Sequence, residues 1–134
     1  MTKLRQRISH DEGFTLIELL IVIVIIGILL AIAVPSYLGF KDRANKRAAQ
    51  SDIRAAIPTA EAWYSDKGTY SGLTNANLKT IDSGVSPAVT VISATASGYC
   101  LAATVGGQAW SAAGPGAAWH KNAGCTGTAT SVNG

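Results

Sequence analysis

The sequence is poor in charged residues and in the residues that most often build metal and catalytic sites. Only 14% of its 134 residues are charged, against about 25% in a typical soluble domain. The formal net charge of +3 is too small to indicate a nucleic-acid partner by itself. Two cysteines are too few for a cysteine-rich zinc site or a disulfide-dense scaffold. The length predicts one small domain.

The chain also lacks the local patterns that mark common enzymes. It contains no Gly-x-Ser-x-Gly elbow. Gly106-Gly107 lacks the Lys-Ser/Thr ending of a phosphate-binding loop. His10 and His120 each stand without an evident acid, nucleophile or metal-ligand set. We therefore predict that the protein is not an enzyme and uses neither a metal ion nor a cofactor.

What the sequence does have is one long apolar run, residues 14–34. Its length is about the ~20 residues that a membrane-spanning helix needs. It is apolar on every side, it carries one charge at Glu18, and Gly27 lies inside it. Pro35 follows at once and removes a backbone hydrogen bond. We expect a bend or a locally opened segment between Gly27 and Pro35.

Glu18 is the least expected residue of this run. A carboxylate in an apolar membrane helix costs about 2.5–3.5 kcal/mol when it is central, and such residues are functional by default. Residues 14–34 hold no Lys or Arg to pair with it. Cleavage after Gly13 would create a partner, because it would leave a free α-amino group on Phe14. That amine on one subunit could neutralise Glu18 of another, so processing and assembly would be coupled.

The rest of the chain predicts an α+β fold. Ile53, Ile57, Ala60 and Tyr64 recur at helical spacing, which indicates an amphipathic helix that continues the first one beyond Pro35. Pro58 should kink or interrupt it, and Gly68 is a stop signal. A short helical turn is expected at residues 75–81. Four strand-like stretches follow, at residues 88–94, 99–105, 108–112 and 117–121, with Gly106-Gly107 as a hairpin turn.

Cys100 and Cys125 both lie late in the chain. An even cysteine count in an exported domain favours one disulfide, with two free buried thiols as the alternative. Closing a loop of roughly 25 residues would stabilise the fold by about 3 kcal/mol on a chain-entropy estimate.

The stretch Gly13-Phe14-Thr15-Leu16-Ile17-Glu18, followed by an apolar helix and Pro35, resembles the prepilin N-terminus of type IV pilins and pseudopilins. The resemblance covers residues 1–37 closely, and beyond them it is architectural. It implies a leader at 1–13, a membrane and filament-core helix at 14–35, and a periplasmic or extracellular domain at 36–134. That domain would be a small antiparallel sheet packed on the second half of the helix.

The same resemblance implies partners and a life cycle. A prepilin peptidase would cut after Gly13 and methylate the Phe14 amine. Copies of the chain would be stored in the cytoplasmic membrane, in contact with lipid. They would then assemble into an extracellular helical filament, driven by a cytoplasmic ATPase and a platform protein. Such a pilus would serve adhesion, twitching motility or DNA uptake. The alternative is a pseudopilin or minor pilin of a secretion or competence system.

Two other interpretations of the N-terminus stay open. Ala31-Ile32-Ala33 has the small-x-small form of a signal-peptide site, and cutting there would release a protein that starts at Val34. An uncleaved single-pass anchor is the other. The first has against it that the apolar run exceeds the usual 7–15 residues of a signal peptide.

The basic stretch 41–47, with Arg54 beyond it, could contact DNA phosphates. We favour a solvated helix face or a headgroup anchor, because Asp42 interrupts the stretch and no aromatic residues are interleaved. Trp63, Tyr64 and Tyr70 are predicted to pack between helix and sheet. Trp110 and Trp119 are predicted to lie in strands and to pack there, with a surface adhesion role as the alternative.

Overall fold

The computed structural model describes residues 13–130. The predicted leader, except Gly13, and the last residues of the tail lie outside them. The element order is α1 (Leu16–Lys67), α2 (Asn75–Ile81), β1 (Val89–Ala94), β2 (Tyr99–Val105), β3 (Gln108–Gly114) and β4 (Ala118–His120). The chain divides into two units, of which the first ends at Gly39 and the second begins at Phe40. The predicted α+β class is confirmed.

Helix α1 runs for 52 residues without a break. It continues beyond Pro35, as predicted, but the interruption expected at Pro58 is absent. Pro58 is exposed, so the carbonyl that its missing N–H leaves free can be hydrated. The opposite side of the helix is held by the fully buried Ala56 and Ala60. α1 ends where predicted, because Gly68 has φ +68° and donates its N–H to the Tyr64 carbonyl at 2.7 Å.

Within residues 13–39, the described part of the first unit, every large apolar side chain is exposed. The exposed fraction runs from 47% at Ile26 to 85% at Leu16. By length and composition this part of α1 is able to cross a membrane. A helix that is apolar on all sides and buries nothing within its own chain requires lipid or other chains around it.

The second unit has a closed hydrophobic core. From α1, residues Ala49, Ile53, Ala56 and Ala60 contribute one fully buried stripe. The three alanines let the helix approach the sheet. The sheet contributes Val89, Tyr99, Leu101, Ala103, Trp110, Ala112 and Trp119. Leu73, Leu78 and Val85 of the segment between α1 and β1 complete the core.

The sheet is a four-stranded antiparallel meander in the order β1-β2-β3-β4. The predicted hairpin turn joins β2 to β3, since Gly106 and Gly107 both have positive φ, 54° and 82°. Two consecutive residues with positive φ form the tight two-residue turn whose twist matches that of the flanking strands. A β-bulge between Val91 and Ser93 leaves Ile92 out of register on the edge strand β1.

The last described residues fold back against the sheet. The predicted bond between Cys100 and Cys125 is present. Cys125 N–H also donates to Ser111 Oγ at 2.9 Å, and Thr130 N–H donates to the Trp119 carbonyl at 2.6 Å. The segment after β4 is therefore fixed to β2, β3 and β4. Within this segment, residues 126–129 are exposed.

Most aromatic predictions hold. Tyr70 is buried, and Trp63 is half-buried against the core. Trp110 and Trp119 lie in β3 and β4, and both belong to the core. Tyr64 is the exception: it is 42% exposed because it lies on the rim of the packing stripe, where it stacks on Tyr70 at 4.5 Å between ring centroids.

Candidate processing and assembly site

The predicted cleavage junction lies just outside the helix. Gly13 and Phe14 are exposed and belong to no regular element. Gly13 has φ +76°, a backbone conformation that residues with a Cβ rarely adopt, and no other residue lies within 4 Å of where that Cβ would be. The peptide bond between these two residues is therefore exposed and lies outside the helix, so a protease can bind it without unfolding the helix.

Two residues further on, Thr15 caps the helix. Its Oγ1 accepts the Glu18 N–H at 3.4 Å, and its carbonyl accepts the Leu19 N–H at 3.2 Å. In return, Glu18 Oε2 accepts the Thr15 N–H at 3.2 Å. This reciprocal arrangement is a capping box. It satisfies backbone N–H groups that a helix start leaves without partners, which matters most where water is scarce.

The capping box fixes where the charge of Glu18 lies. A carboxylate in the first helical turn is favoured by the helix dipole, and here it points back along the chain toward Phe14. Among the described residues, the Thr15 N–H is the one donor bonded to this carboxylate. Its second oxygen can therefore accept another donor. The arrangement can bind a cation that approaches the beginning of the helix.

Gly27 and Pro35 lie within the helical part of the first unit. No atom outside the local helix lies within 4 Å of a Cβ built on Gly27. Next to Pro35, the Ser36 hydroxyl donates to the Ile32 carbonyl at 3.2 Å. Such side-chain bonds satisfy backbone carbonyls near a proline in apolar surroundings. The role predicted for these residues, local opening, stays a prediction.

A second polar cluster lies in the second unit, centred on Glu61. Its Oε2 accepts the Tyr70 hydroxyl at 2.8 Å and its Oε1 accepts the Tyr99 hydroxyl at 2.9 Å. The two rings are 4.8 Å apart between centroids, in an edge-on arrangement. One carboxylate thereby connects α1, the loop after it and β2. Gly114 makes room for this contact, because a Cβ there would overlap the Tyr99 ring.

Burial of the two tyrosines changes their acidity. Desolvation, and secondly the hydrogen bond to Glu61, raise the pKa of Tyr70 to about 12. The same causes raise the pKa of Tyr99 further above its usual value. Both phenols therefore stay protonated at physiological pH and act as donors to a structural carboxylate.

Sequence reasoning missed the roles of Thr15 and Glu61. Thr15-Leu16-Ile17-Glu18 has the Thr-x-x-Glu spacing of a capping box, so the role of Thr15 could have been predicted from the sequence. The role of Glu61 was not, because its two partners are 9 and 38 residues away. Residues 13–130 contain no group of three or more His, Cys, Asp or Glu that could hold a metal ion.

Comparison with known proteins agrees with this geometry. The prokaryotic N-terminal methylation motif matches residues 8–34, which include Gly13, Phe14 and Glu18. The type IV wide pilus major component PilA4 of Thermus thermophilus is 37% identical over 111 residues, which cover 79% of this chain and 83% of that protein.

Two other relatives match over about half of this chain. The type IV major pilin protein PilA of Myxococcus xanthus is 42% identical over 66 residues, 49% of this chain and 30% of that protein. The type II secretion system core protein G of Escherichia coli is 38% identical over 73 residues, 54% of this chain and 50% of that protein. The motif, the fold and the extent of the match to the Thermus protein together place the chain in the family of type IV pilins and pseudopilins.

Proposed function

We propose that this protein is a structural subunit of a type IV pilus, and not an enzyme. Residues 1–13 are a leader that a prepilin peptidase removes after Gly13 before methylating the Phe14 amine. Residues 14–35 hold the subunit in the cytoplasmic membrane and later form the filament core. Residues 36–134 are the periplasmic and then extracellular domain. An assembly ATPase and a platform protein act on this subunit indirectly.

The observation that carries the proposal is the junction itself. An accessible Gly13–Phe14 bond is followed within four residues by a carboxylate that the capping box holds at the start of the helix. Cleavage leaves a cationic amine on Phe14, which is adjacent in sequence to Thr15. In a bundle of staggered helices the amine of one subunit can reach Glu18 of another. An unpaired charge in such surroundings is strongly unfavourable, so the pair sets the register between subunits.

The exposed side chains of the first unit supply the rest of the assembly energy. Transfer from lipid into a bundle of apolar helices gains little hydrophobic free energy, because lipid tails are as apolar as leucine. The gain comes from close packing and from the Glu18 pair. Gly27 would permit local opening of the helix during the transfer, as predicted from the sequence.

The first test is intact mass and N-terminal sequencing of the membrane-associated protein. A start at Phe14 with one added methyl group is the expected result. A start at Val34 would mean a secreted domain and a start at Met1 an uncleaved anchor, and either would contradict the proposal.

The second test separates the charge of Glu18 from its capping role. Glu18→Gln keeps an oxygen that accepts the Thr15 N–H but removes the charge. We expect normal processing and a loss of filaments, since breaking a buried ion pair costs about 3–5 kcal/mol. Asp66→Asn, which removes an exposed carboxylate charge from the part of α1 in the second unit, is the control and should still assemble. Normal filaments from Glu18→Gln would exclude the pairing mechanism.

A pseudopilin or minor pilin is the second candidate, supported by the match to core protein G. The two are distinguished by abundance, because a major pilin dominates sheared filaments. The longer match to the Thermus pilus component favours the pilin. Adhesion, twitching motility and DNA uptake are the uses that such a pilus would serve.

A further inference from the structure

A group of cations begins shortly after the predicted membrane segment. Residues 41–47 contain four of them and a single carboxylate, Asp42. Lys41, Arg43 and Arg47 are exposed. Lys46 differs, because its ammonium lies 5.1 Å from the centre of the Trp110 ring and is held against the sheet. The three exposed residues, here called the basic collar, are the cations that face outward.

The basic collar surrounds the helix instead of following one face. Successive helical residues turn by about 100°, so Arg43 and Arg47 lie on one side of α1 and Lys41 lies roughly opposite. Phe40 directly precedes them and is 65% exposed. An exposed aromatic ring next to long cationic side chains is the combination found at membrane–water interfaces.

The same end of the second unit carries a turn without charged side chains. The Gly106-Gly107 turn lies against Asn45, and a Cβ on Gly106 would overlap the side-chain amide of Asn45. Both glycines are exposed. The turn therefore ends beside the basic collar and adds no negative charge that would oppose an anion there.

We propose that the basic collar binds the phosphates of anionic phospholipids while the subunit is stored in the membrane. This inference rests on the proposed function, which puts residues 14–35 in the bilayer. Lys41 then follows the spanning segment by six residues, and its long side chain reaches back toward headgroups. Clusters of Lys and Arg beside a membrane helix attract anionic lipid, with about a fivefold preference for each cation near the surface. Entry into a filament replaces this contact, so anionic lipid favours the stored subunit.

The test measures lipid selectivity directly. The chain purified after leader removal, which excludes Lys3, Arg5 and Arg7, is reconstituted in phosphatidylcholine bilayers with spin-labelled lipid probes. Electron paramagnetic resonance gives the association of labelled phosphatidylglycerol relative to labelled phosphatidylcholine. We expect at least a fivefold preference for phosphatidylglycerol at low salt, and its disappearance at about 1 M salt, where the Debye length falls to about 3 Å.

Two variants assign the preference to the collar. Replacing its three residues by glutamine (Lys41→Gln, Arg43→Gln, Arg47→Gln) should reduce the preference to less than twofold. Lys79→Gln removes an exposed cation of α2 and should leave it unchanged. Near-ultraviolet circular dichroism checks folding, because all three tryptophans lie in the second unit.

Two outcomes would overturn the proposal: no preference in the wild-type chain, or the full preference in the triple variant. If the triple variant lost binding to DNA but kept its lipid preference, the collar would belong to a nucleic-acid surface instead. Failure here is separable from failure of the proposed function, because processing at Phe14 and filament formation are measured independently of lipid selectivity.

Discussion

The two units of this chain use the same apolar residue types in opposite ways. Leu20 in the first unit is 52% exposed, whereas Leu101 in β2 is fully buried. The second unit completes its core with its own sheet, so its stability belongs to one chain. In the described part of the first unit, residues 13–39, no side chain of the unit covers the apolar ones. Its apolar surface is satisfied by lipid or by other subunits, and this makes it the part that responds to assembly.

Two carboxylates of α1, Glu18 and Glu61, repeat the contrast. Glu61 uses both oxygens for hydroxyls of its own unit, so nothing further is needed from another chain. Within the described residues Glu18 uses one oxygen, for the Thr15 N–H. A carboxylate with unused capacity in an apolar segment is therefore the feature that separates an interaction site from a structural one.

The largest expected effect comes from truncating a core residue of the second unit, for which an exposed leucine of the first unit is the comparison. Ile53→Ala should destabilise the second unit by about 2–5 kcal/mol, because a fully buried side chain is lost and a cavity is left. Leu29→Ala removes a side chain that is 61% exposed and should change that stability by less than about 0.5 kcal/mol. Thermal unfolding in detergent, followed by tryptophan circular dichroism, compares the two.

Filament assembly should be affected more by Leu29→Ala, although Ile53→Ala has the larger effect on the stability of the second unit. Leu29→Ala removes packing surface from the proposed filament core and should weaken filaments, while its second unit stays folded. If Leu29→Ala lowered the unfolding temperature as much as Ile53→Ala, the two units would not be energetically separate, and the comparison would be wrong.

The disulfide gives the next largest effect. Replacing both Cys100 and Cys125 by alanine should cost about 3 kcal/mol, since the loop of 25 residues is no longer closed in the unfolded chain. Amide hydrogen exchange should accelerate at Cys125 and Thr130, whose N–H groups bond to Ser111 and Trp119. The amides of residues 16–39 serve as the internal control. Faster exchange there would contradict the expectation that the disulfide stabilises only the second unit.

Patterns within short stretches predicted most of this fold. Periodicity placed the second half of α1, β2 matches its predicted range, and the double glycine fixed the hairpin turn. The prediction for Pro58 was wrong because a helical proline is tolerated on an exposed face, and exposure depends on where the sheet packs. The end of β3 also depends on tertiary structure. The strand extends to Gly114, beyond its predicted end at residue 112, because Gly114 pairs with Tyr99 of β2.

The candidate site was predictable to a different extent in each unit. Gly13, Phe14 and Glu18 are close in sequence, so their relation is visible without a structure. The cluster of Glu61, Tyr70 and Tyr99 required tertiary contacts. Local sequence therefore specifies the proposed processing and assembly site, and only the folded chain reveals what holds the second unit together.

Alkaline pH provides a smaller test that acts on the second unit alone. The pKa of Tyr70 is raised to about 12 in the folded chain, against about 10 when unfolded. This group therefore adds stability that is fully present below pH 10 and is lost as the pH rises toward 12. From this residue we expect a loss of about 1.4 kcal/mol per pH unit above pH 10.

The loss should appear in urea unfolding measured between pH 8 and 11.5. Tyr70→Phe removes the titrating hydroxyl and should make the slope shallower, although the variant starts from lower stability because one oxygen of Glu61 loses its donor. Tyr37→Phe, an exposed residue of the first unit, is the control. An unchanged slope in Tyr70→Phe would mean that Tyr70 does not carry the effect.

The smallest effect compares two helix caps of similar chemistry. Thr15 caps α1 in the first unit, and Thr74 caps α2 in the second, where its Oγ1 accepts the Asn77 N–H at 3.3 Å. Replacing either threonine by alanine should cost about 1 kcal/mol. Thr74→Ala should lower the stability of the whole second unit, because α2 contributes Leu78 to its core. Thr15→Ala should act only locally, with about fivefold faster exchange of the Glu18 amide, whose N–H the Thr15 hydroxyl accepts.

The local character of the Thr15 effect follows from what surrounds each cap. α2 is short and exists through its contacts with the core, so its loss is shared by every element packed there. Among the described residues the start of α1 is exposed and has no such contacts, so we expect its opening to leave the second unit folded. Thr15→Ser, which keeps the hydroxyl, should restore slow exchange. Uniform loss of stability in Thr15→Ala would show that the helix transmits its state into the second unit.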